Sequence, residues 1–143
     1  MEPLFKEKRE ISSLIPYRIV ENEYEFFLQK RDKNARINPG LFGLFGGGLE
    51  NGEAPEEGLF REIAEELSYK PVHHEYFSRF ETNSSVLHVF VEEVSSDFES
   101  SVVIGEGDYG KFLKPDEILY AKEISMFAQM IIYQLLRDFF GKK

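Results

Sequence analysis

The stretch GGLENGEAPEEGLFREIAEELSY, residues 47–69, decides how this 143-residue chain is read. It carries seven acidic residues and one basic residue, so −6 of the chain's net charge of −9 lies here. Residues 1–46 sum to +1 and residues 70–143 to −4. The stretch opens on the end of a glycine run (positions 40, 43, 46, 47 and 48), a backbone that bends tightly or approaches a ligand closely. From Pro55 to Leu67 the period turns helical. Pro55 suits the first helical position, and Glu56 and Glu57 sit well near the positive helix end. At about 100° per residue, with Phe60 as zero, Phe60, Ile63, Ala64 and Leu67 form an apolar stripe centred near about 350°. Glu62, Glu65 and Glu66 centre near about 193°, so the spacing predicts three carboxylates on one face, opposite the buried stripe. Arg61 can pair with Glu65 four residues on, but Glu62 and Glu66 are a like-charge i,i+4 pair. A solvated helix face would more typically alternate these charges with Lys or Arg. Clustered carboxylates beside a glycine-rich loop suit a hard divalent cation with all-oxygen donors, Mg²⁺ or alternatively Mn²⁺.

The flanking sequence reads as one α/β domain over residues 1–143. Residues 10–20 and 24–31 are predicted strands around the polar turn Glu21-Asn22-Glu23, with Pro16 marking the first as an edge strand or as broken there. Asp32–Gly40 is a polar loop ending in Asn38-Pro39-Gly40. Two more strands are expected at His74–Glu81 and Val86–Val94. A loop follows over residues 95–110, with a short strand or turn around Val102–Ile104. The last element, Ser125 to Phe140, reads as a helix with Ser125 at its N-cap and Gly141 at C′. Apolar residues cover most of its circumference, so it is either wedged against the sheet or shared with a second copy in a homodimer.

Composition excludes several classes. An acidic chain lacks the basic footprint of a general nucleic-acid binder. With 42% hydrophobic and 15% aromatic residues it is too apolar for a disordered acidic tail. The absence of cysteine rules out disulfides, thiolate metal sites and a cysteine nucleophile. No apolar run approaches the ~18 residues of a membrane span, and the first residues have no apolar leader, so a cytoplasmic protein is the expectation.

Residues 47–69 resemble the Nudix box, G-x5-E-x7-R-E-U-x-E-E-x-G-U with U a bulky apolar residue. Gly47, Glu53, Arg61, Glu62, Ile63, Glu65 and Glu66 match position by position, and Tyr69 stands at the last U. Ser68 departs from the glycine that would end the helix in a left-handed residue, a substitution costing ~1 kcal/mol. The resemblance implies a Nudix-type α/β/α sandwich, with a mixed sheet between helices. It implies a Mg²⁺-dependent hydrolase of a nucleoside diphosphate linked to another group. Glu62, Glu65 and Glu66, with the carbonyl of Gly47, would hold the metal. Arg61 would fix neighbouring carboxylates, and Glu53 would tie loop to helix. Glu106, in Ile104-Gly105-Glu106-Gly107-Asp108, matches the loop carboxylate of mutator-type members and is the candidate base or an additional metal ligand, with Glu62 the alternative base.

Lys30, Arg31 and Arg36, in one of the most basic windows of the chain, are candidates with Gly46 for holding the substrate's charged tail. The plainer reading of the three basic residues is a solvated loop. His73, His74 and His88 have no zinc spacing and read as surface or strand residues. The region Asn83–His88 lacks the proline of ADP-ribose hydrolases and the tyrosine of dinucleoside polyphosphate hydrolases. A nucleoside triphosphate, normal or oxidised, is the expected substrate. A nucleotide-sugar, or binding without cleavage, is the alternative.

Overall fold

A computed structural model describes residues 7–36, 38–104 and 109–142. The chain runs β1 (Arg9–Val20), β2 (Glu23–Lys30), β3 (Phe42–Gly43), β4 (Phe45–Gly48), α1 (Pro55–Leu67), β5 (Glu75–Glu81), β6 (Ser85–Glu93), α2 (Phe98–Ser101), β7 (Tyr109–Leu113), α3 (Pro115–Leu119) and α4 (Met126–Gln134). The strands form one mixed sheet in the order β3-β2-β1-β6-β5, with β4 paired to β1 and β7 to β2. β1 runs parallel to β6 and antiparallel to β2 and β4.

The two-residue strand period sorts the core onto two faces. Leu14, Phe27 and Phe90 turn to one face and pack with Leu59, Ile63 and Leu67 of α1. Ile15, Phe26, Leu28, Val89 and Val91 turn to the other and pack with Ile118 of α3 and Ala128, Ile131 and Ile132 of α4. Helices therefore cover both faces, as the sandwich expectation requires.

Three local expectations are corrected. Pro16 lies inside a central strand rather than at an edge. On one side β1 pairs with β4 through Ile11–Leu14 and with β2 through Tyr17–Val20. The proline occupies the interval between these partners, where there is no ladder on that side to interrupt. Val102–Ile104 is not a strand. The chain makes the short α2 before it, and the next strand starts at Tyr109. The last helix is capped by Ser125, whose Oγ accepts the Ala128 N–H at 3.1 Å. It gives way at Leu135–Phe139 to a π turn and at Phe140–Lys142 to a 3₁₀ turn, so Gly141 sits within that turn rather than at a C′ position. The helix is wedged against the sheet, while Met126, Met130 and Tyr133 remain exposed along its outer side. Among the described residues no helix is long and apolar enough to cross a membrane.

Candidate active site

α1 begins at Pro55 as expected, and Glu57 Oε1 accepts the Ala54 N–H at 3.2 Å. Ser12 of β1 donates its hydroxyl to the Pro55 carbonyl at 2.8 Å, fixing the helix start to the sheet. The helix ends on Ser68 in the left-handed conformation (φ 52, ψ 42) that the sequence departure put in question. Beyond it, Glu92 of β6 is 1% exposed and binds the exit segment. Its carboxylate accepts the Tyr69 hydroxyl at 2.8 Å and the Val72 and His73 N–H groups at 2.7 and 2.6 Å.

The buried face of α1 is not the predicted one. Leu59, Ile63, Glu66 and Leu67 are buried while Ala64 is exposed. On the same wheel the buried centre falls near about 285°, a rotation of about 65° toward the acidic side. The three carboxylates accordingly part company. The Glu65 side chain is 61% exposed, that of Glu62 only 16%, and Glu66 is buried.

Arg61 is the hub of the acidic segment. Its Nε and Nη2 grip Glu53 Oε2 and Oε1 at 2.9 and 2.8 Å, a two-pronged pairing. Nη2 also donates to the Gly48 carbonyl at 3.0 Å, and Nη1 donates to Glu62 Oε1 at 2.9 Å. Glu65, the i+4 partner suggested by spacing, stands farther off at 3.7 Å. Glu53 Oε1 also accepts the Glu50 N–H at 2.9 Å. The Arg61 hydrogen bonds first, and this backbone donor second, hold the Glu53 carboxyl down at about 2. The same pairing raises the Arg61 guanidinium above its ordinary value.

Gly46, Gly47 and Gly48 of the run lie in β4, and at two of them a side chain would meet a close neighbour. At Gly46 (φ 141) a Cβ would stand 2.1 Å from the Ser12 carbonyl oxygen of the neighbouring strand. The Gly46 N–H donates to Glu66 Oε2 at 3.1 Å, so the close approach is also what seats that carboxylate. At Gly47 a Cβ would meet Glu62 Oε2 at 2.4 Å. The Glu62 carboxylate thus lies directly on the Gly47 backbone.

Glu62 and Glu66 line a cleft of about 720 Å³ together with Gly46, Gly47, Arg31 and Arg9. Of the other candidate substrate residues, Lys30 places its Nζ 5.1 Å over the Phe42 ring. Lys30 and the exposed Arg36 both lie outside the cleft lining. Glu106 lies outside the described residues. His73 is exposed, whereas His88 is buried in β6 and joined to Glu10 at 3.0 Å. Sequence reasoning missed Arg9, whose guanidinium lies against the Gly48 backbone; only the β1–β4 register brings it there. It also missed Ser13 and Gln29, buried polar residues in the cleft wall. For those a signal existed, since each interrupts an apolar strand run.

Among the described residues no group of three or more His, Cys, Asp or Glu forms a ready-made metal cage. The donor set still fits a hard cation. Mg²⁺ is commonly held by one or two carboxylates, waters and substrate phosphates rather than by an all-protein cage. Two carboxylates, Glu62 and Glu66, share this cleft wall.

A mixed sheet sandwiched by helices, with a glycine strand feeding a glutamate-rich helix, defines a Nudix-type domain. The NUDIX domain family model matches residues 15–131, and the chain belongs to that family. Over 49 residues it is 45% identical to the nucleoside triphosphatase NudI of Enterobacter sp. (strain 638), a match covering 34% of this chain and 35% of that protein. The chain thus matches about a third of the length of such curated relatives. It superposes on the MutT protein of Methanosarcina mazei Go1 with a TM-score of 0.70 and 26% identity, covering 96% of this chain and 99% of that one. The NUDIX domain of Shewanella oneidensis NrtR, solved with ADP ribose, gives a TM-score of 0.74 at 18% identity, over 93% and 89% of the two chains.

Proposed function

We propose that the chain is a Mg²⁺-dependent hydrolase of the pyrophosphate linkage in a nucleoside triphosphate, normal or oxidised, yielding the monophosphate and pyrophosphate. The observation that carries this reading is that Glu62 and Glu66 meet on one wall of a cleft that also holds Arg9 and Arg31. In this reading Glu62, Glu65 and Glu66, with the Gly47 carbonyl, hold the cation, and Mn²⁺ can replace Mg²⁺. When bound, the ion screens the phosphate charge and lowers the pKa of the attacking water.

The chain's own residues do the positioning. Arg61, anchored by Glu53, holds the Glu62 carboxylate in one rotamer. The Gly46 N–H holds Glu66. Arg31 and Arg9 take the distal phosphates, opposite the carboxylates that would otherwise repel them. The proton of the attacking water goes to Glu106 or to Glu62. The pH–rate profile of Glu106→Gln, which is outside the proposed cation ligands, separates the two: loss of the acidic limb assigns the base to Glu106, and an unchanged limb assigns it to Glu62. The partial match to nucleoside triphosphatases supports the substrate class.

A panel of nucleoside triphosphates, nucleotide-sugars and ADP-ribose with Mg²⁺ tests the proposal, with phosphate read after adding pyrophosphatase or phosphatase. Turnover of triphosphates is expected, and turnover of nucleotide-sugars alone moves the assignment to that class. A second reading, a module that holds a nucleotide without cleaving it, is supported by the likeness to the NrtR domain solved with ADP ribose. Saturable binding of these compounds with no turnover would establish it in place of the enzyme. The exposed Met126, Met130 and Tyr133 on α4 support a homodimer, tested by light scattering on the purified chain.

A further inference from the structure

The two sides of α4 do different things. Ser125, Phe127 and Ala128 line the cleft. Met126, Met130 and Tyr133 stand at i, i+4 and i+7, a stripe on the opposite side of the helix. This stripe is bare, with Met126 83% and Tyr133 53% exposed. Arg137 continues it into the π turn, its guanidinium 5.8 Å from the Tyr133 ring centre.

The charges around the stripe follow a pattern. Although 30% of the chain is charged, the thirteen residues Ile124–Leu136 carry no charge at all. A helix side that faces water normally carries charged or polar residues. Charges return as a pair on each flank, Lys122-Glu123 before the stretch and Arg137-Asp138 after it, all four exposed. Counted from Met130, Glu123 and Arg137 are each seven residues away, and Lys122 and Asp138 are each eight. Turned end for end about Met130, the stretch therefore sets Glu123 against Arg137 and Lys122 against Asp138. Among the described residues Lys122 and Glu123 have no ion-pair partner in their own chain. Arg137 meets Asp138 through Nε and Nη2 at 2.8 and 2.9 Å, and the five donors of a guanidinium can serve a further carboxylate. Self-complementarity of this kind is what a two-fold contact between identical chains requires, and what a contact with a different protein does not.

We propose that two copies of this chain pack α4 against α4, antiparallel, about a two-fold axis at Met130. The proposal rests on the homodimer reading above and gives that dimer its contact and its register. Met130 meets its own counterpart, and Met126 comes beside Tyr133 of the second copy, a thioether against an aromatic ring. At each end of the seam Lys122 and Glu123 face Asp138 and Arg137 of the second copy. Two chains that each carry −9 thus meet through an uncharged strip bounded by opposite charges, and the rest of their like charge is left apart and screened. Because Phe127 and Ala128 of the same helix line the cleft, the second copy backs one wall of each cleft. A strip of this length buries about 1,200 Å² in total, the lower end of stable interfaces, so a Kd of about 1–100 μM is expected.

The test uses the full chain, whose lack of cysteine makes single-cysteine variants unambiguous. Sedimentation equilibrium should show monomer and dimer exchanging over about 1–100 μM. Under mild oxidation Met130→Cys should crosslink to itself, because the axis brings its two copies together. Tyr133→Cys should not, because its two copies stand about 9 Å apart along the helices, beyond disulfide reach. Arg137→Glu should weaken the dimer about tenfold, and adding Glu123→Arg should restore it. Each variant is used after a cooperative melt shows that it folds. A chain still monomeric at about 500 μM would overturn the homodimer as well as its register. A dimer in which Tyr133→Cys crosslinks as readily as Met130→Cys, or in which the charge exchange does not restore affinity, would overturn the register and leave the homodimer standing. No readout depends on turnover, so the fate of the hydrolase reading does not enter.

Discussion

Gly46 and Gly47 are neighbours in β4, and the same substitution at each should have opposite consequences. In Gly46→Ala the new Cβ would lie 2.1 Å from the Ser12 carbonyl oxygen and 2.7 Å from the Ser13 Cα, both main-chain atoms of β1. Main chain in a central strand cannot step aside, and φ of 141 already disfavours an L side chain. Backbone strain of ~1–3 kcal/mol adds to the overlap, so a loss of at least about 3 kcal/mol is expected. For a chain of this size that is a fall in melting temperature of roughly 10 °C. In Gly47→Ala the obstacle is the Glu62 carboxylate, at 2.4–2.7 Å. That is the far end of a flexible side chain, which must retreat by about 1 Å to reach ordinary contact distance. Stability should therefore change by less than about 1 kcal/mol. Misplacing a reacting group by ~1 Å can cost about a hundredfold in rate, so turnover should fall by that order. Thermal melts of both variants and single-substrate kinetics of Gly47→Ala provide the check. If Gly47→Ala melts as low as Gly46→Ala, or turns over like the unsubstituted chain, the placement of Glu62 on the glycine backbone is wrong.

Three further expectations concern single residues. Glu53→Gln probes the Arg61 fork through pH. The Glu53 carboxyl is depressed to about 2 in the folded state, so its contribution is complete above the ordinary value of 4.5 and disappears as pH falls through about 2. The stability gap between the unsubstituted chain and the Glu53→Gln variant in urea melts should close over that window, and a gap independent of pH would contradict the pairing. Glu92→Gln should cost about 1–3 kcal/mol in urea unfolding, since its one remaining oxygen can serve the Val72 and His73 N–H groups or the Tyr69 hydroxyl but not both, and the charge that strengthens these bonds is lost; a loss below about 0.5 kcal/mol would show that these bonds are not made. Ser68→Gly should raise stability by up to ~1 kcal/mol by removing the left-handed penalty, and a lower melting temperature would mean that the serine contributes something its φ of 52 does not reveal.

What was legible in the sequence was local. Pro55 at the helix start, the left-handed position at residue 68 and the Ser125 cap are each set by a few neighbouring residues, and each stands as expected. The strands around Glu21-Asn22-Glu23 were legible for the same reason. What failed needed knowledge of partners. The burial of Glu66 depends on the Gly46 N–H, twenty residues earlier, and a helical wheel drawn from hydrophobicity alone leaves a carboxylate outside. Pro16 was misread because its tolerance depends on where β4 stops and β2 begins beside β1. Arg9 reaches the cleft through strand register, and Glu92 holds the exit of α1 from a strand that reads as simply apolar.

The parallel pairing of β1 with β6 also bears on how the chain is made. Arg9 finds its partner in Ser85, about 76 residues downstream, so the centre of the sheet cannot close until that much of the chain has left the ribosome. At ~5–20 residues per second the first strand waits several seconds, with Leu14 and Ile15 bare on both faces. It can meanwhile pair with β2 and β4, which arrive first and lie on its other side. The glycine strand is thus positioned before the sheet is complete. The cost of that order is a long-lived open edge on β1, where another nascent copy can add.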